Sequence, residues 1–131
     1  MKNRGVLADT CAWIDYFRPG RSDLGRLLDK ALSNEKVFTC GMVLYELSQG
    51  IKSEAERTKV MSALEALPYL EVDRDLWKKT GELSSSLRKQ GKTVPFSDIL
   101  IATLALENSL SVLTRDEHFR LIPRLVLRSK R

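Results

Sequence analysis

Four acidic residues occupy equivalent places in the alternating pattern of this chain of 131 residues. Asp9 directly follows a short apolar run, and Asp116 comes just after another. Glu46 and Asp98 lie in the first turns of helical patterns. In a parallel sheet the ends of strands and the starts of helices share one edge, so these side chains are expected to converge in one cleft. Carboxylates brought that close favour protonation unless a cation joins them.

The expected chemistry is metal-assisted hydrolysis of a phosphodiester. The chain has one histidine and no Cys-x-x-Cys pair, so most ligands of a bound metal ion must be carboxylate oxygens. Such ligands favour Mg²⁺ or Mn²⁺. Such a cation binds a phosphodiester oxygen and lowers the pKa of a bound water. Asp9, Asp98 and Asp116 are the predicted metal ligands. Glu46 either ligates the cation or orients the attacking water, and the sequence leaves the identity of the general base open.

Each of these acids also has a plain structural interpretation, as a helix cap or a solvated charge. Their joint placement favours the site, because independent caps have no need to converge. Weaker candidates are Thr10 and Thr114, which can orient a carboxylate, and Arg115 and His118, which can contact a phosphate. The cations Arg88, Lys89 and Lys92 are candidates to line the approach to Asp98. Five other acids are interpreted as capping or solvated residues: Asp15, Asp23, Asp29, Asp73 and Asp75.

The elements that must position these residues alternate between short apolar strands and amphipathic helices. The predicted strands are 6–8, 37–40, 69–72, 111–114 and 125–127. The first four predicted helices cover 12–17, 24–32, 42–50 and 54–67. The fifth follows its cap Asp73 and ends in the basic turn 88–92, and the sixth starts at 95–98 and runs to Leu106. This alternation predicts an α/β fold with a mostly parallel central sheet, helices on both faces and one domain over residues 1–131.

Composition restricts the remaining possibilities. Lysine and arginine number 22 against 17 acidic residues, and the net charge of +5 suggests a polyanionic partner. No apolar run is long enough for a membrane span or an export signal, so a cytoplasmic protein is expected. In that setting Cys11 and Cys40 are predicted to be reduced and buried.

Four segments together resemble the PIN-domain ribonucleases, specifically the VapC-type toxins of bacterial and archaeal toxin–antitoxin pairs. They are residues 7–15 (LADTCAWID), 43–47 (VLYEL), 95–102 (PFSDILIA) and 113–119 (LTRDEHF). The resemblance implies that Asp9, Glu46, Asp98 and Asp116 form an acidic quartet that binds Mg²⁺ or Mn²⁺ for RNA cleavage. It also implies a homodimer and a VapB-type antitoxin that covers the active cleft. Ala8 departs slightly from the family, in which a bulkier aliphatic residue is more usual.

Two other interpretations compete with a ribonuclease. One is a non-catalytic PIN-like module that binds RNA or protein, against which the intact acidic set argues. The other is a haloacid-dehalogenase-like phosphotransferase with Asp9 as nucleophile, but Cys11 stands where that chemistry needs a second aspartate. The apolar residues of the helices at 24–32 and 60–67 are predicted to exceed what the sheet covers and to form a dimer or antitoxin surface. Trp77 is expected in the core or in an interface.

Overall fold

A computed structural model describes residues 4–129 of the chain. Its strands are β1 (Val6–Ala8), β2 (Val37–Cys40), β3 (Tyr69–Leu70), β4 (Ser111–Leu113) and β5 (Leu127–Arg128). Its helices are α1 (Thr10–Phe17), α2 (Asp23–Asn34), α3 (Gly41–Gly50), α4 (Glu54–Glu65), α5 (Arg74–Lys89) and α6 (Phe96–Glu107), with a 3₁₀ helix at Glu117–Leu121. None of the helices in this part of the chain has the length and hydropathy needed to cross a membrane.

The strands form one five-stranded parallel sheet in the order β3-β2-β1-β4-β5. The chain steps from β1 to β2 to β3 in one direction and then returns past β1 to β4. Right-handed crossovers that run in both directions from β1 place helices on both faces of the sheet. The predicted α/β fold with a parallel sheet between two layers of helices is confirmed.

The core lies on both faces of the central strands. All three residues of β1 and all three of β4 are buried, as expected for strands covered by helices on both sides. Helix α6 is buried over most of its circumference and contacts β1, β4 and α3. This packing fixes the start of α6, where Asp98 lies, against the ends of β1 and β4.

Two strand predictions are wrong at their ends. β3 stops at Leu70 because β2, its pairing partner, ends at Cys40 where α3 begins. β5 begins at Leu127, two residues later than predicted, and pairs Leu127 with Val112. Arg124 has a φ of 67°, so the chain still turns just before this strand.

The excess apolar surface predicted on two helices is partly buried in the core. Leu24 and Leu28 of α2 are buried in the core, as are Val60 and Leu64 of α4. Half-exposed aromatic side chains occur elsewhere, notably on α5 and at the start of α6. Other apolar residues of these segments are only partly buried, namely Leu27, Leu32, Met61 and Leu67, so a dimer or antitoxin surface there stays a prediction.

Candidate active site

The site lies where the carboxyl ends of β1 and β4 meet. These neighbouring strands lead to connections that run in opposite directions, and open α/β sheets bind ligands at such a switch point. Asp9 follows β1, and Thr114 and Asp116 follow β4. Asp98 lies in the first turn of α6, and Glu46 lies in α3.

Asp9 is buried, and both of its carboxylate oxygens accept hydrogen bonds. Its Oδ1 accepts a hydrogen bond of 2.8 Å from the Thr10 amide, so Asp9 is the N-cap of α1. Its Oδ2 accepts one of 2.9 Å from the Thr114 hydroxyl, and the Cys11 thiol lies 3.5 Å from the same oxygen. The Thr114 hydroxyl in turn accepts the Asp116 amide at 2.9 Å. Thr114 therefore joins the Asp9 carboxylate to the backbone that carries Asp116.

Glu46 is connected to this group through Thr10. The Thr10 hydroxyl donates a hydrogen bond of 2.6 Å to Glu46 Oε1. Both threonines that the sequence offered as weaker candidates therefore orient an acidic side chain. Thr114 directly follows β4 and Thr10 is the first residue of α1, and each hydroxyl reaches a carboxylate on a neighbouring element.

Asp98, Asp116 and His118 form the tightest cluster. One ligand atom from each lies within 4.8 Å of the others. His118 Nδ1 is 2.8 Å from Asp116 Oδ1 and 3.5 Å from Asp98 Oδ2. Asp98 is only 6% exposed, and its buried Oδ2 has no hydrogen-bond partner among residues 4–129. A buried carboxylate oxygen without a donor is unfavourable unless it is protonated or faces a cation.

The electrostatics of the cluster reflect this crowding. Burial and the adjacent Asp116 carboxylate, with smaller contributions from Asp9 and Glu46, raise the pKa of Asp98 to about 8. Burial also raises the pKa of Asp9, although the Thr114 and Thr10 hydrogen bonds oppose it. Burial disfavours ionisation of Asp116 too, but hydrogen bonds from the His118 amide and from Asp98 hold its pKa below the usual range. The crowding therefore disfavours two negative charges at Asp98 and Asp116 together, and the two carboxyls titrate as a pair.

Not every predicted contributor lies where the sequence suggested. Arg115 forms an ion pair with Asp15, which is 3% exposed, so the interpretation of Asp15 as a solvated or capping residue is wrong. His118 is a closer neighbour of Asp98 and Asp116 than the sequence indicated. Its position two residues after Asp116, within one turn, is the signal that could have identified it. Cys11 and Cys40 are both free thiols, and only Cys40 is fully buried.

The predicted basic approach is partly present. Arg88 and Lys92 line a cleft of about 420 Å³ together with Trp77 and Phe96, the first residue of α6. Lys92 Nζ donates a hydrogen bond of 3.2 Å to the carbonyl of Leu121, at the end of the 3₁₀ helix. Positive charge thus borders the segments that carry Asp98 and His118, whereas Lys89 does not line this cleft.

The fold and the site together define a parallel α/β domain with buried carboxylates at the switch point of its sheet. A sequence model of the PIN domain family matches residues 6–125. The chain belongs to this family.

Relatives within the family are similar over most of their length. Ribonuclease VapC5 of Mycobacterium tuberculosis is 31% identical over 121 residues, covering 88% of this chain and 84% of the relative. Ribonuclease VapC11 of the same organism is 29% identical over 124 residues, covering 92% of each chain. The structure of VapBC2 from Rickettsia felis bound to a promoter DNA fragment contains a chain with the same fold. It aligns with a TM-score of 0.78 and 22% identity, over 94% of this chain and 96% of that chain.

Proposed function

We propose that this protein is a metal-dependent endoribonuclease and the toxin of a type II toxin–antitoxin pair in the cytoplasm. The observation that carries the proposal is the buried Asp98 carboxylate. One of its oxygens has no hydrogen-bond donor within the described part of the chain, although Asp116 and His118 lie beside it. The relatives named ribonucleases support RNA as the substrate, as does the net charge of +5.

Asp9, Asp98 and Asp116 would hold a divalent cation, Mg²⁺ or Mn²⁺. The donors fit in type, because carboxylate oxygens suit these ions, although the ligand atoms that lie within 4.8 Å of one another belong to Asp98, Asp116 and His118 and not to Asp9. The unpaired Oδ2 of Asp98 and its pKa of about 8 both mark a place where positive charge is missing. When bound, the ion supplies Lewis-acid stabilisation of the phosphodiester and activation of water.

The surrounding residues hold the acids in place for that ion. Thr114 fixes the Asp9 oxygen that is not used for capping, and Thr10 fixes one oxygen of Glu46. Glu46 then has its second oxygen available either to ligate the cation or to orient the attacking water. Such hydrogen-bonded supports typically change metal affinity or activity by about 10–100-fold when they are removed.

Cleavage of total RNA in Mg²⁺ or Mn²⁺ tests the proposal. Wild type and Asp75→Asn, a matched control at an exposed position of α5, are expected to give the same discrete fragments. Asp98→Asn and wild type in EDTA are expected to give none. Retained RNA binding without cleavage under any divalent cation would favour the non-catalytic binding module and overturn the nuclease.

An apolar cleft beside Glu46 suits the expected VapB-type antitoxin. It has a volume of about 380 Å³ and is lined mainly by α1, α3 and α4, with Ile14, Phe17 and Leu47 among its apolar residues. An apolar C-terminal segment of the antitoxin bound there would cover one end of the acidic site. We expect Ile14→Asp to abolish co-purification with a co-expressed cognate VapB-type antitoxin while RNA cleavage persists. Unchanged co-purification would exclude this cleft.

A homodimer is the expected assembly, and the Trp77–Phe96 pair supports it. The two rings are parallel within 3°, with centroids 6.1 Å apart, and are 50% and 54% exposed. Large aromatic side chains at this exposure are typical of interfaces. Light scattering is expected to give twice the mass of the chain for wild type and the monomer mass for Trp77→Ser. A wild-type monomer would refute the dimer.

A further inference from the structure

An ion pair between a buried carboxylate, Asp15, and a half-exposed guanidinium, Arg115, lies next to the acidic site and has no place in the mechanism above. Asp15 is on α1, and its Oδ2 accepts hydrogen bonds from the Arg115 guanidinium and, at 2.7 Å, from the Ser22 hydroxyl. Although burial opposes ionisation, these bonds hold the pKa of Asp15 below its usual range. Asp15 is therefore held ionised mainly by Arg115, with Arg18 as a second cation 3.8 Å from its other oxygen.

Arg115 connects this ion pair to the acidic site through its position in the chain. Arg115 stands between Thr114, which holds Asp9, and Asp116. The segment after β4 is thus tied to the β1–α1 unit twice, once by Thr114 to Asp9 and once by Arg115 to Asp15. These two contacts, from neighbouring residues, hold the Thr114–Asp116 segment in place against the β1–α1 unit.

The Asp15 end of this attachment is itself rigid. Ser22 is the N-cap of α2 and accepts the Gly25 amide at 3.2 Å. A Cβ atom at Gly25 would lie 2.9 Å from the Asp15 carbonyl oxygen, so α2 begins in direct contact with the backbone of α1. Asp15 therefore projects from a well-packed junction of two helices.

We propose that Asp15 is a positioning residue that acts through Arg115 to hold the Thr114–Asp116 segment in register with Asp9. This inference rests on the proposed function, since it takes Asp9 and Asp116 as metal ligands. Arg115 accordingly serves the site through its ion pair and does not bind the scissile phosphate, the role for which its position beside Asp116 made it a candidate. A guanidinium engaged by a buried carboxylate is both oriented and largely neutralised.

A double-mutant cycle tests this assignment. Asp15→Asn, Arg115→Ala and the double variant are compared for Mn²⁺ affinity by calorimetry without RNA, for kcat and KM on RNA, and for Tm. Each single variant is expected to lose about tenfold or more in Mn²⁺ affinity and in kcat, with KM within about twofold of wild type. The double variant is expected to be no worse than either single variant, because both remove the same connection.

Conservative and matched variants keep the test interpretable. Arg115→Lys retains the charge and is expected to recover part of both losses. Asp23→Asn and Arg26→Ala break an exposed ion pair of the same chemistry on α2 and are expected to match wild type.

Two results would overturn the inference. A raised KM for Arg115→Ala with Mn²⁺ affinity and kcat intact would make Arg115 a phosphate contact. A lower Tm for the Asp15 and Arg115 variants, with Mn²⁺ affinity and kcat intact, would make the pair purely structural. Asp98→Asn separates these results from failure of the proposed function. If that variant binds Mn²⁺ and cleaves RNA like wild type, the site itself is wrong.

Discussion

Asp98→Asn is expected to stabilise the metal-free protein at neutral and alkaline pH while abolishing activity. Burial and the Asp116 carboxylate raise the pKa of Asp98 from 3.8 to about 8 in the folded chain. A carboxyl with a raised pKa contributes fully to stability below pH 3.8, and this contribution is lost as the pH rises to about 8. The asparagine keeps the shape of the side chain without the charge, and its amide can donate to Asp116.

The magnitude follows from the width of that pH window. Stability changes by about 1.4 kcal/mol per pH unit between the two pKa values, so the upper bound is about 6 kcal/mol. The lowered pKa of Asp116 offsets part of it, because the two carboxyls share one proton. We expect Asp98→Asn to gain about 2 kcal/mol or more at pH 8 in EDTA, and little at pH 4.

Urea unfolding from pH 4 to pH 9 in EDTA measures this difference. Asp75→Asn is the control, since that exposed carboxylate on α5 contributes about 0.5 kcal/mol or less. Mn²⁺ is expected to raise the free energy of unfolding of wild type and not that of Asp98→Asn. Wild type then becomes the more stable of the two proteins. If Asp98→Asn is less stable than wild type at pH 8 in EDTA, the charge of Asp98 beside Asp116 does not destabilise the folded chain.

Three further substitutions probe the supports of the site and the core. Thr114→Ala removes the hydroxyl that holds Asp9, and calorimetry is expected to show Mn²⁺ affinity lower by about tenfold or more. Ile101→Ala, fully buried in α6, should cost about 2–5 kcal/mol in urea unfolding. Gly25→Ala brings a Cβ to 2.9 Å from the Asp15 carbonyl oxygen, so we expect a loss of about 1–3 kcal/mol and a lower Tm.

The spacing of apolar residues was enough to predict the order of strands and helices. β1 is an apolar run of three residues with covered faces, and α6 is apolar around its circumference. The ends of the edge strands were not predictable in the same way. They depend on where the pairing partner stops and on a left-handed residue at Arg124, a conformation that its sequence does not signal.

The acidic site was predictable only in part. Because parallel strands end at one edge, Asp9 and Asp116 were expected on the same side of the sheet, and the Thr114 hydroxyl is what connects the Asp9 carboxylate to the Asp116 backbone. The burial of Asp15 could not be predicted, because its partner Arg115 is 100 residues away in the chain. An aspartate on an amphipathic helix is usually solvated, and only the tertiary contact makes this one a buried ion.

Capping and metal binding compete as interpretations of the sequence, but one carboxylate can serve both roles. Asp9 caps α1 with one oxygen, and Asp116 caps the 3₁₀ helix by accepting the His118 amide. Substituting either therefore perturbs local folding along with the site. Asp98 makes no cap hydrogen bond, since Pro95 is the N-cap of α6. No helix cap is therefore lost when Asp98 is replaced, although the residue lies in the first turn of α6. Asp98 is therefore the acid whose replacement separates function from folding, with stability and activity changing in opposite directions.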